Sequence, residues 1–240
     1  MFAYDPQLAA AARTSPQSID DVLQLLHTID KTCVDGDGLK WFNSLYLQMT
    51  ETVQGLVKGG GFNDPAWLAE LDVQFARLYA TAVNGYLSGS GCPKSWAAML
   101  SVRNNTLIAR IQFALAGINA HINHDLSAAI VATCTARNTS PQHGTPQYSD
   151  YTSVNAAIDG LIENAKKELR VRLLGDPLPV ISHVEDTIAA WGTAAAREQA
   201  WRHADALWHL RTFPIAAQGY LDGLDGLATF GNKMMLVPVP

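Results

Sequence analysis

The chain has 240 residues, 48% hydrophobic and 16% charged, with 17 Lys and Arg against 22 Asp and Glu for a formal net charge of -5. That balance supports one domain with a continuous core and excludes a chain that stays unfolded through charge and low hydropathy. With no basic run longer than Lys166-Lys167, it also argues against nucleic acid as a partner.

Residues 1–17 carry neither a basic start nor an apolar stretch long enough for a secretory leader, so a cytoplasmic location and no membrane are expected, with 1–16 a loose terminus. A first helix is predicted from Ser18, where Ser-Ile-Asp-Asp supplies a hydroxyl cap and an acidic first turn, to about Lys31. Cys33 opens a glycine-rich turn to Gly38. With Cys92 and Cys134 it makes an odd, widely spaced set of thiols that fits a reducing compartment and no zinc knuckle.

A second helix begins after Asp37, carries Trp41, Leu45, Met49 and Val53 on one stripe, and stops at Gly59-Gly60-Gly61. Asn63-Asp64-Pro65 starts a third, with Leu68, Leu71, Phe75, Leu78 and Ala82 on its buried face, ending at Ser88–Gly91. From Pro93 to Thr135 the pattern predicts a long central helix, or two helices meeting at a kink near Gly117 or Asn123. Within it the apolar tract Leu107–Val131 is broken by Arg110, Gln112, Asn119, His121, Asn123, His124 and Asp125, which excludes a lipid-facing span.

Asn138–Ser149 reads as a surface connector, or as a lid over a pocket. Helices follow over Asp150–Leu174 and Ser182–Arg211, separated by Gly175-Asp176-Pro177 and Leu178-Pro179. Pro214 restarts the chain into a weak, glycine-rich helix around Gln218–Leu227, and 232–240 form a loose tail. The fold class is therefore all-α: a single domain over 1–240, built as a bundle of about seven helices around a long central one.

At about 100° per residue, Arg103, Arg110, His121 and Asp125 fall close to one line on the central helix. The four-residue spacing of His121 and Asp125 lets a carboxylate fix the imidazole tautomer and raise its basicity, a workable acid/base unit. Asn119 and Asn123 offer amide donors and acceptors on another side of the helix. On the helix from Ser182, Trp191, Glu198, Trp201, Asp205, Trp208 and His209 share a face. Carboxylates among tryptophans need cations such as Arg103 or Arg110, or a wet cavity. His124 reads as a rim residue, His183 with Glu185 and Asp186 as helix capping, His143 as a loop residue, and His27 and His203 as surface residues. No Gly-x-Ser-x-Gly, Gly-x-x-x-x-Gly-Lys or Gly-x-Gly-x-x-Gly motif occurs.

The segment Gly117-Ile-Asn-Ala-His-Ile-Asn-His-Asp-Leu126 resembles the signature of the family called domain of unknown function 5995. The resemblance extends to Asp37-Gly38-Leu39 with Phe42-Asn43 and Tyr46, to Leu71-Asp72-Val73 with Phe75 and Tyr79, to Asp150 with Val154-Asn155, and to Arg197 with Ala200-Trp201. It implies a helical fold, a polar centre at Asn119, His121, Asn123 and Asp125, no fixed residue type at His124, and no assigned activity.

The expected function is non-redox acid/base chemistry on a small molecule, of cyclisation, elimination or isomerisation type, without a cofactor. His121 and Asp125 are the catalytic pair. Asn119, Asn123, Arg103, Arg110 and Trp201 are the substrate-binding residues. One alternative is a hydrolase or oxygenase dependent on a divalent metal held by His121, Asp125, Glu198, Asp205 and His209 from two facing helices. Another is a non-catalytic binding module. Neither a nucleic acid nor a membrane is expected as partner, and a homo-oligomer is left open.

Overall fold

The computed structural model describes residues 2–173 and 192–238. In chain order, α1 (Asp5–Arg13), α2 (Ile19–Thr32), α3 (Gly38–Gly59), α4 (Pro65–Ser88) and the short α5 (Lys94–Leu100) come first. Then α6 (Arg110–Ala120) runs through a π turn (His121–Asp125) into α7 (Leu126–Ala136), followed by α8 (Pro146–Ser153), α9 (Asn155–Leu173), α10 (Thr193–Leu210) and α11 (Pro214–Met235). There is no strand among the described residues, and no helix there is long and apolar enough to cross a membrane.

Local chemistry sets the early helix starts. Ser18 Oγ accepts from Asp21 N at 3.1 Å, Asp37 Oδ1 from Leu39 N at 3.0 Å and Asp64 Oδ1 from Trp67 N at 3.0 Å, each satisfying a donor that a helix N-terminus leaves orphaned. Gly60 at φ +80° and Gly89 at φ +71° end α3 and α4 in backbone conformations that a side chain would resist.

The termini depart from expectation. Residues 1–16 are not loose, because α1 buries Leu8 completely and Asp5 pairs with the buried Arg103. Nor are 232–240 wholly a loose tail: α11 continues to Met235 and Asn232 is fully buried. Its glycines weaken the helix intrinsically, but packing on α5 and α6 and a cap it provides compensate. Asp225 accepts from Lys94 N at 2.8 Å and Ser95 N at 2.9 Å, closing the start of α5.

The central helix is shorter than predicted. The chain leaves helix after α5 and resumes at Arg110, so Arg103 is not on the line with His121. Arg103 is instead drawn to Asp5 and Asp37, the latter at 2.9 Å, while its carbonyl accepts from Gly38 N at 2.7 Å. Of the two predicted kink positions, Asn123 lies inside the π turn. Gly117 serves a different purpose: a β-carbon there would overlap the Phe42 ring, so glycine lets α3 and α6 approach. Gly117→Ala is expected to cost about 1–3 kcal/mol by overpacking, read as a lower midpoint in urea unfolding.

The helix predicted from Ser182 is described from Thr193, and Trp191, His183, Glu185 and Asp186 lie outside the described residues. The 138–149 segment ends in α8, whose Asp150 reaches back to accept from Asn63 N and Asp64 N at 2.9 and 2.6 Å, bracing the start of α4. His143 and Tyr148 of this segment are tied to Glu198 of α10, and none of its residues before Val154 lines the cavity described next.

Candidate functional site

The π turn carries the His121–Asp125 pair. Its closing bond runs from Leu126 N to His121 O, and such one-turn expansions of a helix recur at functional sites. It presents His121 and Asp125 inward, with side chains 4% and 2% exposed, and sets His121 Nδ1 at 3.1 Å from Asp125 Oδ2. The same oxygen accepts from Trp96 Nε1 of α5 at 2.8 Å, and Asp125 Oδ1 lies 2.7 Å from His124 Nδ1. An ionised carboxylate only accepts, so both imidazoles carry a proton on Nδ1.

Burial and these bonds compete in setting the charges. For Asp125 burial favours the neutral acid, but the bonds from His121 and His124 outweigh it and hold the carboxyl below its ordinary value. For His121 burial dominates over Asp125 and pushes the imidazole below its ordinary value, so it is neutral near pH 7. For His124 burial is overcome by Asp125, with Asp225 and Asp222 behind it, and the imidazole is raised. The result is a neutral His121 whose Nδ1–H is committed and whose Nε2 is buried with no protein partner.

His121 forms part of the wall of a cavity of about 80 Å³, set in about 760 Å³ of atom-free space that includes its open mouth. Phe75 of α4 stacks on the imidazole, ring centroids 3.3 Å apart and planes 5° from parallel, and Tyr46 of α3 meets it edge-on at 4.6 Å. Phe42, Met49 and Val53 of α3, Leu68 and Leu71 of α4, and Ile118 of α6 add apolar wall. Ile122 and Leu126 continue it, and Val154 and Ile158 close the far side from a small satellite core on α9.

Asp72, one turn before Phe75 on α4, lines the same cavity with Oδ2 buried and unpaired. Desolvation pushes its carboxyl up to about 7. Tyr46 Oη and Thr50 Oγ1, also on the wall, have no hydrogen bond of normal geometry. Arg197 of α10 is the cation on the cavity wall; its Nε donates to Asn155 Oδ1 at 2.7 Å and Nη2 to Tyr151 O at 2.8 Å.

Several residues expected at the site are engaged elsewhere. Asn119 Nδ2 donates to Ala228 O at 2.7 Å and Asn232 Oδ1 at 2.8 Å, and its Oδ1 accepts from Asn123 Nδ2 at 2.7 Å, so these amides lock the central helix to α11. Arg103 belongs to the Asp5–Asp37 pair, and Arg110 packs over Trp41, 4.5 Å from the ring centroid, in a separate surface groove. Trp201 is fully buried against Trp67, Tyr148 and Tyr151, off the cavity wall. The alternative metal set is not brought together: Glu198 bonds Tyr148, His143 and Arg202, while Asp205 and His209 form an exposed pair at 3.6 Å. The expected pairing of Glu198 and Asp205 with Arg103 or Arg110 is likewise replaced by these nearer partners. Among the described residues no group of three or more His, Cys, Asp or Glu is placed to hold a metal ion.

Asp72, Tyr46, Thr50, Trp96 and Arg197 were missed by helix-face reasoning confined to two helices. A signal existed for Asp72, since it interrupts the apolar face of Leu68, Leu71 and Phe75. Asp72 also sets a stability signature. Its folded carboxyl holds a proton up to about pH 7 while the unfolded one ionises near 3.8, so the folded state binds more protons between those values. Stability should therefore fall as pH rises through that window and stay low above it. Asp72→Asn is expected to flatten this slope and raise the melting temperature at pH 8, measured by thermal unfolding across pH.

Among the described residues the architecture is helix-only, with a buried imidazole–carboxylate pair on a π turn beside an apolar cavity, which defines an all-α bundle protein. The family model described as "Family of unknown function (DUF5995)" matches residues 19–238, nearly the whole chain, and the chain belongs to that family. No curated protein and no solved structure matches it.

Proposed function

We propose that the protein is a small-molecule enzyme of non-redox proton-transfer chemistry, an elimination, isomerisation or cyclisation carried out in the cavity beside the π turn. The observation that carries this reading is His121: a residue that lines the cavity, its Nε2 buried without a protein partner and its other ring nitrogen fixed to Asp125. A neutral imidazole with Nδ1–H bound to a carboxylate has its lone pair on Nε2 and is stabilised as it takes up a proton, the requirement for a general base. Asp125 and Trp96 position the ring. Asp72, poised to hold a proton near neutral pH, is the complementary acid; two groups pushed in opposite senses by their surroundings take opposite roles.

The test is deuterium incorporation next to the carbonyl of a panel of neutral and charged carbonyl compounds in D2O, comparing wild type with His121→Gln. Exchange that depends on His121 supports the reading. Equal exchange by both proteins removes it.

A further inference from the structure

Among the described residues sixteen line the cavity, eleven of them apolar. Five are polar, and four of these, Tyr46, Thr50, Asp72 and His121, have buried atoms without a hydrogen bond of normal geometry, the Tyr46 and Thr50 hydroxyls lying against each other. Buried polar atoms are normally paired, so four such atoms on residues of a single cavity mark the place where a ligand or water completes the hydrogen bonding. The fifth, Arg197, has Nε and Nη2 already held by Asn155 and the Tyr151 carbonyl.

This distribution limits what fits. A molecule with many polar groups, such as a sugar or a nucleotide, would bury them unpaired against Ile118, Ile122 and Leu126. A pure hydrocarbon would leave all four orphans unsatisfied. An anion would meet the Asp72 carboxyl and the His121 lone pair.

We infer that the site takes a neutral, predominantly apolar molecule with one oxygen head group, a carbonyl or a hydroxyl, seated between His121 and Asp72 with its hydrocarbon body against α3, α4 and α9. This rests on the proton-transfer reading only for where the head group lies. A hydroxyl donates to His121 Nε2 and accepts from protonated Asp72 or Tyr46 Oη. A ketone only accepts, and so depends on the proton of Asp72, since the Tyr46 and Thr50 hydroxyls lie against each other.

That difference gives the test a signature. Among the described residues, the titratable and charged groups sharing the cavity with Asp72 are Tyr46 on α3, His121 on the π turn and Arg197 on α10, while α6, α7 and the α8–α9 segment contribute Ile118, Leu126, Val154 and Ile158. Tyr46 is held far above neutral by burial and His121 below its ordinary value. From pH 6.5, the ordinary imidazole value below which His121 is held, to pH 8 the group that changes from donor to acceptor is therefore Asp72, passing about 7.

Isothermal titration calorimetry of the full chain with menthone, menthol, limonene and decanoate at pH 6.5 and pH 8 decides the matter. Menthone and menthol are expected to bind at pH 6.5, with limonene at least roughly tenfold weaker because it leaves the orphans unpaired. Menthone should weaken at pH 8 while menthol holds, and Asp72→Asn, an amide donor at both pH values, should remove the menthone step. Limonene or decanoate binding as tightly as menthone, or no binding by either oxygenated ligand, overturns the inference. His121-dependent exchange confined to charged carbonyl compounds would overturn it while sparing the proton-transfer reading. The menthone–menthol pattern with exchange indifferent to His121 would do the reverse.

Discussion

Asp125→Ala is expected to lower stability by about 3–5 kcal/mol, the range for removing one partner from a buried charged pair. Three N–H groups converge on this carboxylate, from Trp96, His121 and His124, and its side chain is 2% exposed. Alanine leaves Trp96 Nε1 and His121 Nδ1 buried without an acceptor, and a cavity where the carboxyl stood. For a domain of this size each kcal/mol moves the melting temperature by about 2–4 °C. Asp125→Asn should fall between, because its oxygen can accept but its amide nitrogen meets N–H groups. Urea unfolding of the three proteins makes the comparison, and an alanine variant within about 0.5 kcal/mol of wild type, the range of an ordinary surface substitution, would show that the network contributes nothing.

The same network has a pH dependence with two opposite signs. Asp125, lowered in the fold, contributes stability that is present above the ordinary carboxylate range and lost as pH falls through its depressed value. His124, raised in the fold, contributes stability that is present below its ordinary value of 6.5 and lost as pH rises through the raised one. Both contributions coexist only between those limits; in Asp125→Ala the first should vanish and the second shrink to what Asp225 and Asp222 supply.

His121→Gln is expected to cost about 10²–10⁴-fold in rate, the usual worth of a positioned general base, with a much smaller effect on stability than Asp125→Ala. Glutamine keeps an N–H for Asp125 but cannot take up a proton. The wild-type rate should rise with pH as His121 loses its proton below 6.5 and fall again above about 7 as Asp72 ionises. Asp72→Asn should lower the rate, since an amide delivers no proton, and the remaining activity should lack the alkaline limb and keep the acid one. A variant at His121 with undiminished rate, or a profile flat across both limbs, would be incompatible with these roles.

Much of the scaffold is written locally. Ser18, Asp37 and Asp64 announce helix starts through side chains that reach their own first turns, and Gly60 and Gly89 announce ends through backbone freedom. These signals act within four residues, so they can be read without knowing the fold. Residues 1–16, 101–109 and the ends of α11 depart from expectation because their conformation depends on distant partners: Asp5 and Asp37 for Arg103, and α5 and α6 for the glycine-rich α11.

The candidate site divides in the same way. The sequence alone determined that His121 and Asp125 stand one helical turn apart in an apolar segment, and that pairing survives because it needs only the backbone of that segment. Tertiary structure alone decided that Asn119 and Asn123 face α11 rather than a ligand, that Arg103 and Arg110 turn elsewhere, and that Asp72, Tyr46 and Arg197 take the places around His121. A helical period fixes which residues share a face, but which face meets a cavity is set by how α3, α4 and α10 pack against it, and those contacts join residues far apart in the chain.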